Sequence, residues 1–187
     1  MSKKLKFLAM VLVGILLNIS QVLADSTYTL GWGAASGDAG TYTNFTDKTG
    51  TVTNLLSFST AKNSAYTTPA YNSGSSELRL YNNLQGSPNY TTSGGSITIT
   101  PASGITITGF TITATANYQP TTKYKIGTGS LTTLPAWSNN STGASGLSVG
   151  STSSITIQNC NGSAQQLRIK TIAITYSSSG GSTYTVI

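Results

Sequence analysis

The chain contains no histidine. That absence removes Ser-His-Asp and Cys-His catalysis, histidine general bases and histidine zinc ligands together. It has one cysteine, Cys160, so no disulfide can form within the chain. Without a histidine to activate it, a lone thiol is a poor nucleophile. At the end of the alternating run Ile155, Ile157, Asn159, Cys160 reads as a small buried apolar residue. Charge is scarce, at 7% of residues against about 25% in an ordinary domain, so solubility falls to hydroxyls and amides. No phosphate-binding or dinucleotide-binding glycine motif is present.

Acids are fewer still: Asp25, Asp38, Asp47 and Glu77 are the four in the chain. A glycosidase needs two carboxylates about 5–10 Å apart, and Asp38 or Asp47 with Glu77 are the available combinations. Asp38 lies in a Ser-Gly-Asp-Ala-Gly run of turn composition. Glu77 shares strand parity with Arg79, opposite Leu78 and Leu80, and reads as a surface glutamate beside an arginine. Asp38 and Asp47 with backbone carbonyls are the one donor set for a weakly held structural calcium ion. No catalytic residue, metal-ligating residue or cofactor is assigned.

Residues 1–24 carry the pattern of an export signal. Lys3, Lys4 and Lys6 precede an apolar run from Phe7 to Leu17, and Val22-Leu23-Ala24 forms a small-x-small cleavage site before Asp25. The run is short for a membrane span, and no span is expected after cleavage. Loss of the three lysines leaves seven basic and four acidic residues, a net +3. That charge is mild and unclustered, which argues against nucleic-acid binding.

From residue 25 onward nothing has helical periodicity. Ile, Leu, Val and Tyr alternate with Thr and Ser, broken by Gly, Asn, Ser and Pro clusters. This predicts strands near residues 51–59, 77–81, 96–100, 105–115, 122–126, 154–158 and 167–176, with a weaker one over 27–32. Two of them change phase: Ile105 and Ile107 give way to Phe110 and Ile112, and Leu167 and Ile169 to Ile172 and Ile174. A bulge near Thr108-Gly109 and another near Lys170-Thr171 would absorb the slips. Such strands suit a corner where one strand serves two sheets. Seven or eight strands with frequent turn signals predict an all-β, antiparallel β-sandwich of jelly-roll type over residues 25–176. Residues 135–150 read as the longest loop. Residues 177–187 read as a flexible linker with a strand-like remnant tail, so the domain is expected to end at Tyr176.

Sugar rings stack on exposed aromatics while planar polar groups take the hydroxyls. Tyr66, Tyr71, Tyr90, Tyr118 and Trp137 lie in polar segments, whereas Tyr124 and Tyr176 share parity with core isoleucines. Trp137, beside Ser138, Asn139 and Asn140, is either a sugar platform or a plug closing one end of the sandwich. The candidate ligand-binding set is Trp137, Asn139, Tyr66, Tyr71, Tyr118 and Arg79. Arg79, Lys123, Lys125, Arg168 and Lys170 form a basic row if their strands share a sheet. Such a row serves either acidic glycans or simple solubility and edge protection.

Several runs resemble a jelly-roll domain of secreted Bacteroidetes proteins. They are Leu55-Leu56-Ser57-Phe58-Ser59-Thr60-Ala61-Lys62-Asn63, Pro69-Ala70-Tyr71-Asn72, Leu78-Arg79-Leu80-Tyr81, Gly95-Ser96-Ile97-Thr98-Ile99 and Ile107-Thr108-Gly109-Phe110-Thr111-Ile112, with the closing stretch from Leu167 to Tyr176. The resemblance covers residues 41–176. It implies an extracellular accessory module found beside enzymes or surface repeats, and the trailing SGGSTYTVI resembles the opening of such a repeat. It supplies no ligand or catalytic residue. The expected function is a non-catalytic binding or adhesion module, secreted or on the cell surface, with a glycan or cell-surface polymer as partner. A structural spacer or assembly subunit is the alternative, and a glycoside hydrolase ranks third. Oligomeric state stays open.

Overall fold

The structure, a computed structural model, describes residues 55–178 apart from residues 73 and 87, together with the backbone of five strand segments between residues 26 and 52. The expected leader (1–24) and residues 179–187 lie outside the described residues. The strands are β1 (Ser26–Trp32), β2 (Gly37–Asp38), β3 (Thr41–Tyr42), β4 (Phe45–Asp47), β5 (Thr51–Val52), β6 (Leu56–Ala61), β7 (Ala70–Asn72), β8 (Glu77–Leu80), β9 (Ser96–Pro101), β10 (Ile105–Ala114), β11 (Thr122–Ile126), β12 (Thr132–Thr133), β13 (Ser141–Val149), β14 (Ile155–Asn159) and β15 (Leu167–Ser178). There is no helix among the described residues, and hence none long and apolar enough to cross a membrane.

The strands form two antiparallel sheets, of nine and six strands, and the fold is a β-sandwich. In the smaller sheet the order is β12-β11-β14-β9-β6-β3. In the larger, β15 is the spine. Along one side it pairs with β10, which in turn pairs with β13. Along the other side it pairs first with β8, through Leu167 to Ile169, and then with β1, through Ile172 to Tyr176. Strands β7 and β2 extend outward from β8, and β4 and β5 from β1. Eight of the strands also nest: β1 pairs β15, β9 pairs β14, β10 pairs β13 and β11 pairs β12. First joins last and so inward, with successive pairs falling in alternate sheets.

The Ile/Thr alternation explains why these segments are strands with one dry face. β-branched residues suit a pleated surface, and Thr tolerates water where Ile does not. Ile97, Ile99, Ile155 and Ile157 of the smaller sheet meet Leu80, Ile107, Ile112, Leu167, Ile169, Ile172 and Ile174 of the larger in one core, all fully buried. Phe110 and Tyr124 join the sheets edge to face, with ring centroids 5.4 Å apart.

Both predicted bulges are present. Pairing of β10 with β15 shifts between Ile107 and Gly109, and again between Thr113 and Ala114, where Lys170 is the extra residue. Each bulge inverts strand parity while both halves keep facing the core. The expectation that these strands serve two sheets is corrected, since both stay in the nine-stranded sheet. The bulge in β15 instead falls where its neighbour changes from β8 to β1.

Three further expectations are corrected. Residues 51–59 are not one strand: β5 joins the larger sheet and β6 the smaller. Period-2 alternation carries no information about which neighbour a strand takes. The supposed loop 135–150 holds β13. Its Gly, Ala and Ser are poor strand formers, but the site demands them. A Cβ on Gly143 would collide with the Phe110 carbonyl oxygen and come within 2.9 Å of Thr111 Cα. Finally, β15 continues past Tyr176, with Ser177 opposite Thr106 and Ser178 opposite Ile105.

Candidate functional site

A cleft lies at one end of the sandwich, where β8 ends and β15 begins. Its walls come from the segments that join β6 to β7, β8 to β9, β10 to β11 and β14 to β15. These loops are held by buried amides rather than by apolar packing. Asn159 is fully buried and donates to the carbonyls of Leu80 (3.0 Å) and Gln165 (2.9 Å), while its Oδ1 accepts from the Asn161 amide (3.1 Å). Asn82 donates to the Asn161 and Ser163 carbonyls, both at 2.7 Å. Backbone bonds from Tyr66 to Asn83 and from Thr91 to Asn82 tie down the remaining wall. Asn159 thereby finds partners for both its donors and its acceptor.

The cleft encloses about 510 Å³ and is lined by Thr67, Tyr81, Asn82, Asn83, Tyr90, Asn117, Tyr118, Ala164, Gln165, Gln166 and Arg168. Its size is ordinary for a small-molecule site, but its lining is not. Such sites are mostly apolar, whereas here three phenol rings alternate with amides and one guanidinium. Among the described residues no carboxylate lines it.

Arg168 is held from three sides. Its guanidinium carbon sits 3.4 Å from the centre of the Tyr118 ring, its Nε donates to Gln166 Oε1 at 2.9 Å, and Glu77 Oε1 lies 3.6 Å from its terminal nitrogen. Arg79 faces Arg168 across the β8–β15 pair, a like-charge juxtaposition that costs stability unless offset. Glu77 offsets it, taking Arg79 Nε at 2.9 Å on Oε1 and the Thr115 hydroxyl at 2.6 Å on Oε2.

Glu77 is therefore not the surface glutamate expected, because its side chain is 1% exposed. It does point away from Leu78, but the segment carrying Thr115 and Tyr118 covers that face. Burial pushes its pKa up, but hydrogen bonds from Thr115, Arg79 and Ser75 and the charge of Arg79 outweigh this and hold it below the ordinary 4.5. The folded protein thus binds this proton less tightly than the unfolded chain. The stabilisation is complete above about pH 4.5 and is lost as pH falls through the folded value. Thermal melts from pH 7 down to pH 3 should show a falling midpoint, and Glu77→Gln should start lower at pH 7 and fall less. Parallel profiles would mean that Glu77 contributes nothing to acid sensitivity.

The structure scatters the residues selected from sequence. Tyr118 lines the cleft. Tyr66 is 58% exposed at its rim, next to Thr67, with its amide bonded to Asn83. Tyr71 is the middle of β7, opposite Leu78, and Arg79 is bound to Glu77; neither lines the cleft. Trp137 packs partly buried against the core and donates its indole N–H to the Pro120 carbonyl at 3.0 Å, the plug alternative. Asn139 and Asn140, at φ 49° and 62°, form the two-residue turn between Ser138 and Ser141. The basic row does not exist as one row: Lys123 and Lys125 are on β11 in the smaller sheet, and Arg79, Arg168 and Lys170 are on the larger.

Sequence reading missed Tyr81, Asn82, Asn83, Asn117, Gln165 and Gln166 as members of a site. Their Asn/Gln/Tyr composition resembles ordinary loop composition, and only folding brings four separate segments together. Asp38 and Asp47 lie on β2 and β4, whose side chains are outside the described residues. Among the described residues no three His, Cys, Asp or Glu cluster to hold a metal. Cys160 is a free, buried thiol whose pKa burial pushes up, against the opposing effects of Lys123, which suits a packing role. No protein-family model matches the chain, and no curated protein matches it either.

Proposed function

We propose that this is an exported, non-catalytic carbohydrate-binding module of jelly-roll type, and that the cleft between β8 and β15 is its binding site. The nested pairing of eight strands in alternate sheets supports the jelly-roll assignment. One observation carries the functional reading: the cleft combines three tyrosines with planar amides and a guanidinium, and no acid among the described residues lines it. Tyrosine rings offer faces for sugar stacking, and amides both donate and accept toward hydroxyls. The absence of histidine supports binding without turnover. Glu77, an acid in contact with the cleft residue Arg168, has both oxygens engaged and a lowered pKa. A glycosidase general acid needs the opposite shift.

A glycan panel followed by calorimetric titration tests the proposal. Tyr90→Ala should weaken binding about tenfold or more, equivalent to roughly 1.4 kcal/mol of stacking, while Trp137→Ala should change affinity little in protein that remains folded. Failure to bind any soluble or insoluble glycan would overturn it.

A second reading, an assembly subunit of the cell surface, draws support from β13. This nine-residue strand carries no charge or proline and pairs only with β10 among the described residues. Unprotected edges of this kind recruit further strands. Sedimentation of the mature protein at high concentration should show self-association that Ser145→Lys removes. A strict monomer would exclude assembly through this edge.

A further inference from the structure

We infer that the saccharide taken by the cleft carries a carboxylate, a uronic acid unit, and that Arg168 binds it; this deepens the carbohydrate reading and rests on it. Among the described residues Arg168 is the only charged one on the cleft lining. Its charge is incompletely answered from within. Glu77 is 2.8 Å from Arg79 but 3.6 Å from Arg168, beyond hydrogen-bonding reach, and its other oxygen is taken by Thr115. Of the five N–H donors of Arg168, only Nε–H has an acceptor among the described residues, Gln166 Oε1. Stacking on Tyr118 occupies a face of the guanidinium and leaves its in-plane terminal donors available. A planar fork of two parallel N–H groups matches a carboxylate. Gln166, having given its oxygen to Arg168, retains an amide nitrogen able to donate to the same anion.

A second observation on the cleft wall favours hydroxyls on the same ligand. Asn83 Oδ1 is buried and accepts no hydrogen bond, while its Nδ2 is spent on the Thr67 hydroxyl at 2.8 Å. A buried acceptor left unmet costs stability, and a sugar hydroxyl supplies the missing donor. A neutral sugar satisfies Asn83 but not Arg168. A bare carboxylate satisfies Arg168 but not Asn83. A uronic acid satisfies both.

The test compares a uronic-acid oligosaccharide with the same oligosaccharide after reduction of its carboxyl groups, titrated into the full chain. The acid form should bind about tenfold tighter at low salt, with the advantage shrinking as salt rises. Gln166→Glu keeps the shape of the site and places a carboxylate against Arg168 Nε. It should erase the preference for the acid form, and Arg168→Gln should do the same. Acetate at the same concentration should not compete. Reduced sugar that binds as well as the acid form, with both lost in Tyr90→Ala, would overturn the uronate inference and leave the carbohydrate reading intact. A preference that persists in Gln166→Glu would also overturn it. Binding of neither form would remove both.

Discussion

Replacing Asn159 with leucine is expected to destabilise the domain by about 3 kcal/mol and to abolish ligand binding with it. The side chain is fully buried and serves three backbone groups, the carbonyls of Leu80 and Gln165 and the amide of Asn161. Leucine fills similar volume, so the loss is polar rather than steric. Each buried group left without a partner costs roughly 1–3 kcal/mol, partly recovered where water reaches it. For a domain of this size the thermal midpoint should drop by about 10 °C. Because Asn159 links the end of β14 to the end of β8 and to the segment entering β15, the cleft walls should separate first. A stability change within about 0.5 kcal/mol, the range of a neutral surface substitution, would show that these bonds do not hold the loops.

Gly94→Ala should have a comparable effect by the opposite route. Gly94 is buried just before β9 and threads between the two sheets at their cleft end. A Cβ there would lie 2.7 Å from the Asn159 carbonyl oxygen, 2.8 Å from that of Tyr81 and 3.0 Å from Asn82 Cβ. Neither carbonyl is free to retreat: that of Asn159 accepts from the Gly94 amide and that of Tyr81 from Gly95. Inserting a methyl into such a site costs about 1–3 kcal/mol through backbone displacement, and the upper end is expected because both obstacles are main chain. Denaturant unfolding should show the midpoint lowered at an unchanged slope. Gly74→Ala, where a Cβ would meet the Asn72 side-chain oxygen at 3.6 Å, serves as the control and should leave stability nearly unchanged.

The strands of the core were legible in the sequence because their signal is local. Ile97 and Ile99 against Thr98 and Thr100, or Ile155 and Ile157 against Thr156, state which face is dry without reference to any partner. The phase changes in β10 and β15 were legible for the same reason, since a bulge leaves its mark in the order of apolar residues. Non-local demands left no such mark. Gly143 and Ala144 look like loop residues until Phe110 is seen to press against them. Glu77 looks exposed until the segment bearing Thr115 and Tyr118 folds over it. The cleft belongs to this second kind. Tyr118 was recognisable as an aromatic in a polar segment, but Tyr81, Asn83 and Gln166 acquire meaning only through convergence. Trp137, the most conspicuous aromatic in a polar context, turned inward because its ring packs on the core and its N–H meets the Pro120 carbonyl.

The central claim is that a saccharide binds in the cleft between β8 and β15. Amide chemical shifts of the ¹⁵N-labelled mature protein, followed during titration with an oligosaccharide that scores on the glycan panel, test it most directly. The largest shifts are expected at Asn83, Tyr90, Asn117, Tyr118, Gln166 and Arg168, with Trp137 and Asn139 unmoved. Shifts centred on the Trp137 turn or on β13, or none with any saccharide, would contradict it.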